Sequence, residues 1–295
     1  KNKFTVLLEK CRRELIFLFV MKYKRRYSKR RAKNRNLFET LAKLPAWKLL
    51  LGAALLCVAY LFLFQSVFLS PKNTLIWKAI FGETKYPEGY SVQGIDISHY
   101  QGKIDWDKLH GALIEGTPVR FIIMKSTEGN SLLDQNFADN FYQASQYGFI
   151  RGAYHFFVLG VDVRSQAVYF LKQVHLDEGD LPPVLVFEKT GNLTSKEIER
   201  NALEWLKTVE KEYHVKPILY TYYKFKQKYF SSKEFDDYPY WIAHYYVDTL
   251  RYQGEWKFWQ HTDYGKVDGI KSYVDLNVYN GSMYDLEKFT ISSSD

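Results

Sequence analysis

The chain has 295 residues, 46% of them apolar and 25% charged, with 24 Tyr, 21 Phe and 7 Trp; this is a globular rather than a disordered composition, long enough for one sizeable domain plus an appendage. The net charge of +8 is unevenly spread: residues 1–48 hold sixteen Lys and Arg against Glu9, Glu14 and Glu39, about +13 locally, which leaves residues 49–295 near −5. A mildly acidic main domain argues against nucleic-acid binding, and the basic arm carries no motif for it.

In chain order, the first apolar run is Glu14 to Met21 (ELIFLFVM). It is too short to span a bilayer and reads as an interfacial piece whose basic neighbours suit anionic lipid. Residues 49–69 (LLLGAALLCVAYLFLFQSVFL) carry no formal charge, and their length and uniform apolarity predict a transmembrane helix. Trp47 and Lys48 suit an interfacial anchor at one end, and Ser70-Pro71 a helix stop at the other. The basic run from Lys22 to Arg35 predicts that residues 1–48 stay in the cytoplasm and that everything after Pro71 lies outside. The apolar stretch exceeds the core of a secretory signal, and no small-x-small site precedes Pro71 convincingly, so an uncleaved anchor is expected. Residues 70–91 read as a linker or stalk, 92–291 as the main domain and 292–295 as a tail. Cys11 and Cys57 both precede that domain, which can therefore contain neither a disulfide nor a thiolate metal site. Asn192 and Asn280 match the glycosylation sequon, a pattern short enough to arise by chance.

From Val92 onward, short β-type runs alternate with helix-like intervals: VQGIDIS, VRFIIMKST, RGAYHFF, PVLVFE, PILYT, YWIAHY, KFWQHT and VDLNVYN. Eight such runs match the strand count of a closed (β/α) barrel. The apolar spacing of Asp134 to Tyr147, Val163 to His175 and Thr194 to Tyr213 predicts helices, the last with a capping box from Thr194 to Glu197. Later intervals shorten, and only Tyr264-Gly265-Lys266 separates the last two runs, so an irregular barrel with its final strands joined by hairpins is expected.

Several runs finish on polar or aromatic groups: Asp96 followed by Ser98 and Gln101; Lys125 with Glu128; Tyr154 with His155; Glu188; Tyr220; His244 with Tyr245; Trp259 with Gln260; and Asp275 with Asn277. In a parallel barrel the C-terminal strand ends share one face, so these residues would ring a single cleft. Carboxylates supply acid, base or nucleophile, while Tyr and Trp stack on pyranose faces; the ring is what a saccharide site needs. Each member alone has a plainer reading: an exposed ion pair for Lys125 and Glu128, a satisfied core histidine for His155, core or rim for the aromatics. No His/Cys cluster stands at metal-ligand spacing, and neither a metal nor a cofactor is expected.

With these segments in view, the chain resembles the family 25 glycoside hydrolases, lysozymes of the N-acetylmuramidase type. GIDISHYQGKIDW, FIIMKSTEG, GAYHFF, PPVLVFE, YWIAHY, WQHT and VDLNVYNG stand in family order across residues 92–282. The resemblance implies an irregular TIM-like α/β barrel of eight strands and about five helices. It also implies a peptidoglycan partner, cleaved at the β-1,4 bond from N-acetylmuramic acid to N-acetylglucosamine. For single positions it implies Asp96 and Asp275 as active-site carboxylates, Glu188 as proton donor, and Tyr154, His155, Tyr220 and Trp259 near the sugar. With the anchor, the expected location is a bacterial cytoplasmic membrane with the domain periplasmic or extracellular.

The chain departs from the family pattern at PPVLVFE, where an Asp-x-Glu is expected and Val186-Phe187-Glu188 stands. Side chains two apart on a strand share a face, so Val186 is expected beside Glu188, in place of a second carboxylate. Losing that charge lowers the pKa of Glu188 and gaining an apolar neighbour raises it, which leaves the net sign open. Two readings follow: a hydrolase in which Asp96 and Asp275 serve beside Glu188, and a peptidoglycan-binding module whose chemistry is impaired by Val186. A protein-binding scaffold is the third.

Overall fold

A computed structural model describes residues 86–252 and 254–292, together with Pro45, Lys48, Leu55 and Tyr60. The chain divides into two units, Lys1–Thr74 and Leu75–Asp295, and the fold below belongs to the second. Apart from those four residues, the basic arm, the expected span over 49–69, most of the linker and residues 293–295 lie outside the described residues. Among the described residues no helix is long and apolar enough to cross a membrane.

Among the described residues ten strands form one sheet: β1 (Gln93–Ile97), β2 (Leu113–Ile114), β3 (Thr117–Glu128), β4 (Leu132–Leu133), β5 (Ile150–Phe156), β6 (Val184–Val186), β7 (Ile218–Tyr222), β8 (Tyr240–Ala243), β9 (Phe258–Gly265) and β10 (Val274–Tyr279). Eight of them close a barrel in the order β1-β3-β5-β6-β7-β8-β9-β10 and back to β1, while β2 and β4 are two-residue strands folded back on β3. All eight expected runs are barrel strands. Those from β1 to β9 pair in parallel, but β10 runs antiparallel to both neighbours.

Connection length explains the reversal. Parallel neighbours need a crossover, usually a helix, whereas antiparallel neighbours need only a short link. Helices α1 (Trp106–His110), α2 (Phe137–Gln146), α3 (Val163–Gln173), α4 (Ser195–Tyr213) and α5 (Tyr223–Tyr229) fall between parallel strands, and α6 (Met283–Phe289) follows β10. Between β9 and β10 there are only residues 266–273, so the strand turns back. That link differs from the expected turn at Tyr264–Lys266, because Tyr264 and Gly265 complete β9. Among the described residues of this unit six α-helices stand where about five were expected; α1, α5 and α6 have five to seven residues, too few to display a helical period.

Alternation along the strands divides the apolar side chains into two layers. Phe121, Ile123, Val184, Val186, Tyr220, Trp241 and Phe258 fill the barrel. Ile95, Ile122, Met124, Leu185, Leu219 and Ile242 face outward and pack with Phe141, Phe170, Trp205 and Leu206 of the helices. Fully burying a side chain such as Phe170 contributes about 1.5–3 kcal/mol. At Gly94 a Cβ would come within 2.5 Å of the Phe121 ring and carbonyl oxygen, so only glycine lets β1 lie this close to β3. The longest helix, α4, opens on the expected capping box: Thr194 Oγ1 accepts from Glu197 N at 3.3 Å, and Glu197 Oε2 accepts from Thr194 N at 2.8 Å.

Candidate active site

The barrel brings carboxylates together through register. Asp96 stands between the outward Ile95 and Ile97 of β1, so its side chain enters the barrel. Because β10 is antiparallel, its first residues reach the face where the parallel strands end, and Asp275 is the register partner of Asp96. Directly opposed residues of an antiparallel pair project to the same side. Asp275 thus reaches the cleft from a strand's beginning, not from its end as the sequence reading had it.

One buried network holds Asp96. Its Oδ2 accepts from Gln260 Nε2 at 2.7 Å and from Asn277 Nδ2 at 2.8 Å. Gln260 Oε1 in turn accepts from the hydroxyls of Tyr220 at 2.8 Å and Tyr245 at 2.6 Å, and Asn277 Oδ1 accepts from Trp241 Nε1 at 2.8 Å. Gln260 and Asn277 are register partners on β9 and β10, which is why both amides meet one oxygen.

The electrostatics follow from burial. Desolvation raises the Asp96 carboxyl to about 6, against the two amide donors that pull it down. Asp275 is pushed higher, to about 9, first by desolvation and then by the charge of Asp96, with Asp263 and Glu188 adding to it. As pH falls, Asp275 therefore takes a proton first and Asp96 remains the anion. Glu188 follows β6 and is also raised by desolvation, opposed by the Lys189 ammonium and the Tyr222 hydroxyl. Tyr154, on β5, is raised well above its ordinary value by burial and by the charges of Asp96, Asp275, Asp134 and Glu188. All three expected carboxylates, Asp96, Asp275 and Glu188, are among the charges that act on this one phenol.

Lys125 is the register partner of Tyr154, pairs with Glu128 and lies 5.2 Å from the Phe156 ring centroid. Val186 is buried in the barrel beside its register partners Phe156 and Tyr220. Phe187 points to the outer layer, so Val186 lies on the inner face of β6 immediately ahead of Glu188.

Three expected site residues are placed elsewhere. His155 is the outward neighbour of Tyr154, sealed under the helices: Thr127 Oγ1 lies 2.8 Å from its Nδ1, Gln166 Oε1 lies 3.3 Å from its Nε2, and Trp205 stacks on it at 5.4 Å. Trp259 is the outward neighbour of Gln260; it packs against Tyr90 and Trp256 and donates Nε1 to the His244 carbonyl at 2.8 Å. On a strand only one of two consecutive side chains can enter the barrel, and here the other one does. Gln101 caps a turn instead: its Oε1 accepts from Ser98 N at 2.8 Å, and its Nε2 donates to the Tyr273 carbonyl at 3.1 Å. Tyr222 and Trp241 are absent from the site residues expected from sequence. Both stand at inward positions by the same alternation, two residues after Tyr220 and two before Ala243.

The cleft therefore offers a buried anion with fixed geometry, a neighbouring carboxylic acid that keeps its proton, and a third, half-buried carboxyl of raised pKa. This suits acid catalysis of glycosyl transfer. No cluster of three or more metal-ligating groups occurs among the described residues.

Comparison with known proteins points the same way. The family model described as glycosyl hydrolases family 25 matches residues 95–270. The uncharacterized protein YegX of Escherichia coli strain K12 is 40% identical over 206 residues, 70% of this chain and 75% of that protein. Lysozyme M1 of Streptomyces globisporus is 31% identical over 210 residues, 65% of this chain and 68% of that protein. Among solved structures, a family 25 glycosyl hydrolase from Bacillus anthracis superposes with a TM-score of 0.63 at 28% identity, covering 70% of this chain and 97% of the other. The bacterial lysozyme from Streptomyces coelicolor gives 0.62 at 28% identity, covering 69% and 98%.

Proposed function

The chain belongs to glycosyl hydrolase family 25, and from that premise we propose that it is a membrane-anchored lysozyme. It cleaves the β-1,4 bond from N-acetylmuramic acid to N-acetylglucosamine in peptidoglycan. The observation that carries this reading is the Asp96–Asp275 register pair, its Asp96 held by Gln260 and Asn277, on the face where Glu188 stands. Glu188, whose pKa is raised by its partial desolvation, gives its proton to the leaving glycosidic oxygen. Asp96, ionised before its partner, faces the positive charge that develops at the anomeric carbon, and Asp275 orients substrate or water through its retained proton. Removing a general acid costs about 10²–10⁴-fold. Glu188→Gln should lose turnover of purified peptidoglycan in that range; parent-like turnover would refute the assignment.

Val186 supports a second reading, a cell-wall-binding module with impaired chemistry. Its side chain is buried on the inner face directly ahead of Glu188, where the family motif places a carboxylate. A Val186→Asp substitution that converts binding without turnover into turnover selects the module, whereas substantial turnover by the parent eliminates it. In both readings residues 49–69 hold the domain on the outer side of a bacterial cytoplasmic membrane, a placement supported by the apolar length and the basic run before it.

A further inference from the structure

Strand β9 does not run evenly beside β10. From Phe258 to Gln260 the pairing is regular, with Phe258 and Gln260 facing into the barrel and Trp259 outward. The register then slips by one residue: Gln260 is the partner of Asn277, but Thr262 rather than His261 is the partner of Leu276. A bulge of this kind shifts the alternation of everything that follows on its strand. Leu276 belongs to the outer layer, so Thr262 opposite it faces outward and Asp263 turns inward, to the face of Asp275. A second slip between Leu276 and Val274 sets Asp263 and Tyr264 against the single residue Asp275. Plain alternation counted from Gln260 would turn Asp263 away from the cleft, which is why it is not among the site residues expected from sequence.

Asp263 is exposed, whereas Asp275 beside it is half-buried, yet Asp263 is held in place. The Tyr246 hydroxyl donates to its Oδ1. Tyr246 itself stands in the left-handed region, with φ 60°, which a bulky side chain rarely adopts. Its backbone N donates to the carbonyl of His261, the extra residue of the bulge, at 3.3 Å. Outliers of this kind persist where the surrounding structure over-determines them, commonly at functional sites. The preceding residue, Tyr245, donates to Gln260, so the loop after β8 is tied both to the Asp96 network and to Asp263. After desolvation and the charge of Asp96, Asp263 is the next influence that keeps the proton on Asp275. Glu188 after β6, Tyr154 from β5, and Tyr245 and Tyr246 after β8 also face Asp275. Lys266 and Lys271 lie in the link between β9 and β10, with the Lys266 ammonium 5.5 Å from the Tyr273 ring centroid.

We propose that Asp263 is a positioning residue of the centre: clamped by Tyr246, its carboxylate keeps the neighbouring Asp275 in the acid form and so leaves Asp96 as the anion that faces the sugar. The effect on turnover rests on the hydrolase reading above; the coupling between the two aspartates does not. The test is Asp263→Asn, which keeps an acceptor for Tyr246 and removes only the charge. Two quantities are measured on the full chain in detergent: the pH–kcat/KM profile on purified peptidoglycan, and the titration of the Asp275 carboxyl by carbon NMR, its signal assigned by its loss in Asp275→Asn. In Asp263→Asn the Asp275 midpoint and the alkaline limb of the profile should both move to lower pH, by on the order of half a unit. Asp263→Glu should restore both, and Tyr246→Phe, which frees the carboxylate to swing toward water, should shift them the same way by less. An unmoved midpoint in Asp263→Asn, or an equal shift in Asp263→Glu, would overturn the proposal. A moved midpoint with an unmoved limb in an active enzyme would overturn the positioning role as well. A moved midpoint with no hydrolysis by the parent would instead refute the enzyme reading and leave the coupling in place. Hydrolysis by the parent with an unmoved midpoint would do the reverse.

Discussion

At the scale of single residues, the position of Asp96 is over-determined. The Trp241 indole can only donate, so Asn277 must turn its Oδ1 toward it and present Nδ2 to the carboxylate. Two tyrosyl hydroxyls fix Gln260 in the same sense. The amides favour the ionised form of Asp96 and partly offset desolvation. Asn277→Leu removes one of these bonds, so the Asp96 pKa rises. The acidic limb of the pH–kcat/KM profile should then move upward by on the order of one unit. An unmoved limb together with a lower kcat would mean that Asn277 acts on the substrate rather than on Asp96.

At the scale of elements, strand alternation decides which polar residues are available for chemistry. Tyr154 and Gln260 enter the barrel, so His155 and Trp259 cannot. The His155→Ala variant strips Thr127 and Gln166 of a buried partner and opens a cavity against Trp205. It should cost about 3 kcal/mol in urea unfolding, with kcat per folded molecule within about twofold of the parent; a large fall in kcat at parental stability would return His155 to the sugar site. Each barrel strand was legible as a β-type run bounded by turn residues, and the three longer helices were legible from apolar spacing. Alternation was legible too, but the adjacent pairs Tyr154-His155 and Trp259-Gln260 hide which member points inward until the register of the closed barrel is known. The antiparallel sense of β10 was not legible as a placement of Asp275, because antiparallel register is set by pairing and connection length rather than by the strand's own residues.

At the scale of the whole molecule, the cleft couples function to proton uptake. Asp275 and Asp96 titrate near 9 and 6 in the folded chain, against about 3.9 for an unfolded aspartate. Folding therefore binds protons between these values, and the stability they confer is fully present below the unfolded pKa and is lost as pH rises through the folded ones. His155 and His261 act oppositely: both are pushed down to about 3 by burial, so they penalise the fold only below about 6.5. From pH 7 to 9 the carboxyl pair dominates, and the melting temperature should fall with rising pH in the parent and flatten in Asp275→Asn. An equal slope in both would place Asp275 outside the coupled pair. If three carboxyls from segments far apart in the sequence form one muramidase centre, the sugar left at the cut reports it most directly. Peptidoglycan digested by the full chain, reduced with borohydride and resolved by mass spectrometry should yield new ends reduced at N-acetylmuramic acid, and Glu188→Gln should yield almost none. New ends at N-acetylglucosamine, or no new ends from the parent, would contradict it.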